Sequence, residues 1–212
     1  MTLVSLYTRE TEQDVPQFVD EETYLRVYAE QHYEWINGEL VKLPSSLPHV
    51  LLITFFIHCL DAYFEFRPIG RAFSQTFPVR MPSIQNWREP DVLVVLNDNT
   101  NIVSDQGVRG APDICIEVVS PESVERDYAD KVVEYEQGGV KEYWLIDYTR
   151  QQVRFHRLDA SGRYQFVYPD ANGYYLTPLL PDLKLPVATL WQTPLPGPVS
   201  IVRTVEAMLN PS

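Results

Sequence analysis

The residues best suited to chemistry are two acids placed in apolar segments. Asp91 opens the run DVLVVL, and Glu117 lies inside the run DICIEVV. An ionised carboxylate in a buried strand costs several kcal/mol unless it is paired or binds a metal. If the two strands are neighbours, the carboxylates converge, and Mg²⁺ or Mn²⁺ suits such hard oxygen ligands. The alternatives for each acid are a salt bridge to Arg or Lys, or a strand-end position that reaches water.

A lysine on the following helix is a candidate partner for these acids. The helix is predicted to pack through Tyr128, Val132 and Tyr135, which are spaced at i, i+4 and i+7. Lys131 is at the edge of this stripe, so its long stem can lie along the core and place its ammonium at the strand ends. The alternative is an exposed i,i+4 ion pair with Asp127.

Three further side chains are weaker candidates. Asp113 precedes Glu117 by four residues on one strand, so the two face the same side. Asp113 is either a ligand or the start of its strand, and Asp91 is the favoured ligand. Glu39 is a possible third acid, with an exposed hairpin glutamate as the alternative. His49 could approach the site from a buried helix, although a structural histidine is favoured.

Basic residues and other catalytic patterns add little. Arg126 and Lys141 could contact phosphate, but solvated surface positions are favoured for both. The sequence has no Ser-His-Asp arrangement, no glycine-rich phosphate loop and no zinc-ligand spacing among its four histidines and two cysteines. The two cysteines, Cys59 and Cys115, are predicted to be buried, reduced thiols.

The elements that must position these residues can be predicted from periodicity and turn signals. The continuous apolar runs 91–96 and 113–119 are typical of central strands covered on both faces. Ser120 as N-cap and Pro121 begin a helix that Gly138-Gly139 ends. Asn37-Gly38 predicts a hairpin turn. The remaining predicted elements are helices over 20–31, 47–66 and 199–209, and strands over 71–81, 142–148, 152–158 and 163–168. Together they indicate one α/β domain built on a mixed sheet flanked by helices.

Composition and charge limit the function classes. The chain has 212 residues, 45% of them apolar, which suffices for one real core. A net charge of −12 argues against strong nonspecific binding of nucleic acid. The longest apolar stretch, 51–60, is too short to span a bilayer, so no membrane association is expected. The first residues show no secretory signal, which predicts a cytoplasmic location.

Four segments together resemble a known family. They are YEWINGELVKLP, EPDVLVV, GAPDICIEVVSPES and RDYADKVVEYEQGGVKEYWLID. In this order they are similar to the large family of restriction-type endonucleases with a PD-(D/E)XK core. The resemblance covers roughly residues 20–190, with 110–147 as its most specific part. It implies a nuclease-like domain over 20–190, an N-terminal extension over 1–19 and a proline-containing tail over 191–212.

The resemblance also implies roles for the candidate residues. Asp91 matches the motif aspartate and Glu117 the motif acid, while the usual lysine position holds Val119. Lys131 would then supply the lysine from the helix. Asp91, Glu117 and Glu39 are the implied metal ligands.

The implied activity is hydrolysis of DNA phosphodiester bonds with Mg²⁺ or Mn²⁺. Many such nucleases act as dimers, because two strands must be cut, so a homodimer is possible. Two alternatives stay open. The first is an inactive nuclease-fold protein that binds or scaffolds, which the acidic charge and the displaced lysine favour. The second is a metal-dependent enzyme for RNA or small phosphate esters.

Overall fold

The structure, a computed structural model, describes residues 15–43 and 45–210. The predicted N-terminal extension over 1–19 therefore lies mostly outside the described residues. The helices are α1 (Glu21–Thr23), α2 (Leu47–Phe66), α3 (Lys131–Gly138) and α4 (Pro198–Leu209). The strands are β1 (Tyr33–Ile36), β2 (Glu39–Lys42), β3 (Gly70–Ser74), β4 (Val79–Arg80), β5 (Val92–Leu96), β6 (Val103–Ser104), β7 (Gly107–Arg109), β8 (Ile114–Val118), β9 (Glu142–Asp147), β10 (Gln152–Leu158), β11 (Tyr164–Val167), β12 (Tyr174–Leu176) and β13 (Lys184–Pro186).

A six-stranded mixed sheet forms the centre of the protein. Its strand order is β11-β10-β9-β8-β5-β3. Strands β8 and β9 are parallel, and every other neighbouring pair in this sheet is antiparallel. The parallel pair is joined by the segment that contains α3, as a crossover requires. The predicted mixed α/β architecture is confirmed.

The two faces of the sheet are covered by different helices. Side chains such as Val94 and Ile116 pack with α2 and α4, whereas their neighbours Leu93 and Cys115 pack with the α3 side. This alternation follows from the two-residue period of a strand. Because Asp91 and Glu117 have odd numbers like Leu93 and Cys115, they point to the α3 face.

Helix α2 is the central helix of the larger core. It is the one helix in the described part of the chain that is long and apolar enough to cross a membrane, but half of that stretch is buried inside the protein. Phe56 and Leu60 are almost fully buried and pack against the sheet and α4. Burial on several sides explains why the helix is apolar nearly all round, as expected for a core helix.

A small hairpin stands beside the main sheet. Strands β1 and β2 are joined at Asn37 and Gly38, whose φ angles of 52° and 92° fit the predicted Asn-Gly hairpin turn. Trp35 and Trp87 exchange backbone hydrogen bonds of 3.0 and 2.9 Å, which join the hairpin to the segment preceding β5. The hairpin thereby reaches the α3 side of the sheet.

Two predicted elements differ from the structure. The helix expected from Ser120 begins later, because the Ser123 hydroxyl receives the Ser120 N–H and closes a turn before the first helical residue. The predicted strand over 71–81 is two strands in different sheets, β3 and β4. Thr76, between them, has a φ of 70°, a left-handed conformation that interrupts a strand.

The C-terminal helix belongs to the larger core. Residues 198–209, assigned to the tail by sequence, form α4 and confirm the predicted last helix. Ile201, Val205 and Leu209 are buried on its inner face, spaced at i, i+4 and i+8.

Replacing Phe56 with alanine tests the role of the α2 core. The side chain is 1% exposed and lies against Phe55 and Trp144. We expect Phe56→Ala to lower the free energy of unfolding by about 3–5 kcal/mol, since a large cavity is left behind. Val199→Ala on α4, where the side chain is 65% exposed, is the control and should change it by less than about 0.5 kcal/mol. Urea denaturation measures both, and equal losses would contradict this account.

Candidate active site

The site begins with two carboxylates brought face to face across neighbouring strands. The register of β5 and β8 pairs Val92 with Ile116, and one further step places Asp91 opposite Glu117. Both acids are buried, with 5% and 3% exposure. The structure therefore brings together the two acids that the sequence singled out.

Asp91 is held from three directions. Its Oδ2 accepts the backbone N–H of Val118 at 2.7 Å and lies 3.1 Å from Nε2 of His49, while its Oδ1 accepts a hydrogen bond from the Gln75 amide at 2.7 Å. His49 reaches Asp91 from the first turn of α2, and its Nδ1 is buried without a hydrogen-bond partner among the described residues. The histidine thus belongs to the site as a group that orients Asp91.

Lys131 is buried at the centre of the acids. Its Nζ lies 2.8 Å from Glu117 Oε1, 3.2 Å from Glu34 Oε1 and 3.3 Å from Asp127 Oδ1. Burial acts to lower the pKa of Lys131, but the carboxylates, Glu117 foremost, raise it above its usual value, so the ammonium stays charged. The pairing with Asp127 exists as an i,i+4 contact, but it is buried rather than solvent-exposed.

A π-helical turn sets this geometry. Residues Arg126–Asp130 form the turn, and the backbone N–H of Lys131 donates to the carbonyl of Arg126, five residues earlier. The Asp127 carboxylate accepts a hydrogen bond from the Ser123 hydroxyl. The turn places Asp127 and Lys131 towards the sheet, where Tyr135, one turn further on, donates to Glu117 Oε1 at 2.9 Å. Such turns are frequent at functional sites.

Glu34 is a site residue that the sequence patterns did not single out. It is fully buried on β1 and pairs with Arg88 at 2.9 Å as well as with Lys131. Burial raises its pKa, but the charges of Lys131, Arg88 and Arg126 outweigh this and lower it to about 2. The available signal was an acid between Tyr33 and Trp35 in a predicted strand.

Glu89 is the second missed acid. It is 1% exposed, and neither carboxyl oxygen has a hydrogen bond of normal geometry among the described residues, although the Tyr24 hydroxyl and the Thr76 backbone lie close by. Burial and the neighbouring Glu34 raise its pKa to about 9. The signal was its position two residues before Asp91, the spacing that puts side chains of an extended segment on one side.

Two predicted candidates lie elsewhere. Asp113 is at the opposite end of β8 from Glu117, where it binds Lys141 at 2.6 Å and the Leu96 N–H at 2.8 Å, so it begins its strand and is not a ligand of this site. Glu39 on β2 is partly exposed and accepts a hydrogen bond from Gln17 at 3.1 Å. Among the described residues, no hydrogen bond or ion pair joins Glu39 to Asp91, Glu117 or Lys131. The acid of this hairpin that contacts Lys131 is Glu34.

The cleft holds more carboxyl groups than cationic groups. Its lining includes four carboxyl groups and two cationic groups, namely Glu89, Asp91, Glu117, Asp127, Arg126 and Lys131. Behind them Glu34 and Arg88 balance each other. Burial raises the pKa of Glu117 to about 8 against the opposing charge of Lys131, and the Asp91 charge adds to the increase. Burial therefore favours the protonated forms of Glu117 and Glu89, and a divalent cation would displace those protons.

The residues fit a divalent metal by charge and donor type. Asp91, Glu117 and Glu89 offer hard oxygens, and the unpartnered carboxyl of Glu89 is the kind of buried group that a cation would satisfy. Within the described ranges, no group of three or more His, Cys, Asp or Glu side chains is placed so that it could hold a metal ion without rearrangement. A metal would therefore have to draw these carboxylates together on binding.

Comparisons with known proteins agree with this picture. A sequence model of the Uma2 family, described as "Putative restriction endonuclease", matches residues 21–188. A solved structure of a putative nuclease of the DUF820 family from Anabaena variabilis ATCC 29413 is similar with a TM-score of 0.62 and 19% identity, over 75% of this chain and 89% of that one. At this identity the likeness shows the fold, which confirms the predicted restriction-endonuclease-like class. No curated protein matches the chain.

Replacing Glu34 with glutamine tests the buried charge cluster. The change removes one negative charge and leaves Lys131 and Arg88 undercompensated, so we expect a loss of about 3–5 kcal/mol in the free energy of unfolding. Glu39→Gln in the same hairpin is the matched control and should stay within about 0.5 kcal/mol. Both are measured by urea denaturation at neutral pH. A Glu34→Gln variant as stable as Glu39→Gln would contradict the role given to Glu34.

Proposed function

The chain belongs to the Uma2 family of putative restriction endonucleases, and we propose that it hydrolyses DNA phosphodiester bonds with a divalent metal ion. The observation that carries the proposal is the placement of Asp91 opposite Glu117, with Lys131 beside them, in one cleft at the strand ends. The matched family supports nuclease activity. Metal dependence and DNA as the substrate are the parts we add.

Asp91 and Glu117 would hold the metal, with Glu89 as the third carboxylate. When bound, Mg²⁺ or Mn²⁺ would polarise a phosphate oxygen and lower the pKa of a bound water. His49, Gln75 and the Val118 N–H fix the orientation of Asp91. Such hydrogen bonds around a ligand preserve its direction and tune its affinity.

Lys131 and Tyr135 set the charge and direction of Glu117. Both donate to its Oε1, at 2.8 and 2.9 Å, which opposes the effect of burial on the pKa of Glu117 and leaves Oε2 for another ligand. The ammonium is already shared among three carboxylates. To orient the attacking water or stabilise the developing charge, Lys131 would exchange one of these contacts when substrate enters.

An inactive nuclease-fold protein is the second candidate function. It is favoured by the close engagement of Lys131 and by the net charge of −12, which disfavours a polyanionic substrate at long range. Such a protein would keep the fold and bind a partner without cleaving DNA. The two candidates differ in one measurable property, metal-dependent cleavage.

Glu117→Gln tests the metal nuclease directly. We expect it to abolish both Mn²⁺ binding in isothermal titration and nicking of supercoiled plasmid, because an amide cannot lose a proton to become the anionic ligand that the metal would bind. His49→Ala should weaken Mn²⁺ binding by about 10–100-fold, since it only orients Asp91. Glu39→Gln should match the wild type in both assays. Mn²⁺ binding without nicking in the wild type would favour the inactive protein, and no binding at all would make Asp91 and Glu117 structural.

Proton release on metal binding gives a pH test of the same ligands. In the metal-free protein Glu117 and Glu89 have pKa values of about 8 and about 9, so both are largely protonated at pH 7. Metal uptake must displace these protons, so we expect release of up to about two protons and an affinity that rises with pH until about pH 9. Titration at pH 7 in two buffers of different ionisation enthalpy measures the release.

In the metal-free protein, the same two protons make the free energy of unfolding fall as pH rises, whereas metal affinity rises with pH. The folded state holds these two protons, while the unfolded chain loses them near the ordinary value of 4.5. Their contribution to the free energy of unfolding is therefore full below pH 4.5 and is lost as pH rises through about 8 to 9. Metal affinity that is constant between pH 6 and 9 would contradict the assignment of Glu117 and Glu89.

A further inference from the structure

Of the two cationic side chains that line the cleft, Lys131 is closely paired with carboxylates and Arg126 is not. Lys131 is 2% exposed, its Nζ donates to Glu117, and two further carboxylate oxygens, from Glu34 and Asp127, lie within 3.3 Å of that nitrogen. Arg88, just behind the cleft, is also committed, since its guanidinium donates to Glu34 and twice to Glu134. Neither cation is available to an incoming anion without breaking an existing contact.

Arg126, unlike Lys131 and Arg88, is poorly paired. It is the first residue of the π-helical turn, and its Nε is buried without a hydrogen-bond partner among the described residues. Its nearest carboxylate, Glu34 Oε2, is 3.9 Å away, which is too far for a hydrogen bond. Its side chain is 19% exposed and forms part of the cleft lining. The guanidinium is therefore partly desolvated, poorly paired and open to the cleft.

We propose that Arg126 binds a phosphate group of the nucleic-acid backbone next to the bond that is cleaved. The inference rests on the proposed function and adds a substrate-binding residue to it. A guanidinium presents its donors as a planar fork that matches two phosphate oxygens, and a buried donor gains from acquiring an acceptor. An anion entering a cleft lined with four carboxyl groups also needs a compensating positive charge at the point of contact.

The structure separates Arg126 from Lys141, the other basic residue considered from sequence. Lys141 binds Asp113 at 2.6 Å, at the far end of β8. Arg126 lies one residue before Asp127, at the end of the sheet where Asp91 and Glu117 converge. The surface position favoured from sequence is thus wrong for Arg126, because the π-helical turn directs it inwards.

The test compares DNA binding by wild type, Arg126→Ala, Arg126→Lys and Arg163→Ala. The probe is a fluorescein-labelled 20-base-pair duplex followed by fluorescence anisotropy, with Ca²⁺, another oxygen-preferring cation, replacing Mn²⁺ so that binding is read apart from cleavage. Arg163 is the matched control, because it is 72% exposed and pairs with Glu136 outside the cleft. Thermal unfolding of each variant checks that it is folded.

We expect Arg126→Ala to raise the Kd about tenfold and to reduce the slope of log Kd against log salt by about one. Arg126→Lys should restore the salt slope but only part of the affinity, since it keeps the charge and loses the fork. In plasmid nicking with Mn²⁺, Arg126→Ala should raise KM more than it lowers kcat. Arg163→Ala should match the wild type throughout.

Two outcomes would overturn the inference, and they are distinguishable. If wild type binds the duplex and Arg126→Ala has the same Kd and salt slope, Arg126 does not contact phosphate, and the proposed nuclease function stands. If wild type neither binds the duplex nor nicks plasmid, the proposed function fails and the role of Arg126 fails with it.

Discussion

The structure depends on keeping one buried ammonium group satisfied. Lys131 is enclosed by Glu34 from the hairpin, Glu117 from the central sheet and Asp127 from its own helix. Removing any one of these carboxylates would leave a buried charge undercompensated, which is far more destabilising than losing a surface pair. The cluster therefore fixes hairpin, sheet and helix relative to one another, and the cleft exists because these three elements meet around one cation.

The layered architecture excludes water from this cluster, so its charges must be paired within the protein. The face of the sheet towards α2 and α4 is filled by apolar side chains. The α3 face combines a smaller apolar cluster with the acids at the strand ends. In such low-dielectric surroundings every charge–charge contact is stronger and every unpaired polar group is more costly. The same physics explains why Glu34 is strongly acidic while Glu89 and Glu117 hold protons near neutrality.

The polar groups of the site are therefore unequally paired. Lys131 is enclosed by carboxylates, whereas the buried Glu89 carboxyl oxygens and the buried Nε of the partly exposed Arg126 have no hydrogen-bond partner among the described residues. A carboxyl and a guanidinium with unused hydrogen-bonding groups in one cleft are suited to two different ligands, a metal ion for the carboxyl once it loses its proton and a phosphate for the arginine. The strong negative charge of the rest of the protein makes this local arrangement more important, because long-range attraction cannot deliver a polyanion to it.

The sequence by itself determined the central strands, the long core helix and the pair of acids. Continuous apolar runs fix buried strands, and an acid within such a run must have a partner, which made Asp91, Glu117 and Lys131 predictable. Only the tertiary structure decided the rest. In the tertiary structure Glu34, not Glu39, contacts Lys131, and Glu89 lines the same cleft. Arg126 also lines the cleft, whereas Asp113 pairs with Lys141 at the opposite end of β8 from Glu117. Local patterns reveal which side chains face the core, but Glu34 and Arg88 are 54 residues apart in the chain, and their pairing comes from the way the hairpin packs beside the sheet.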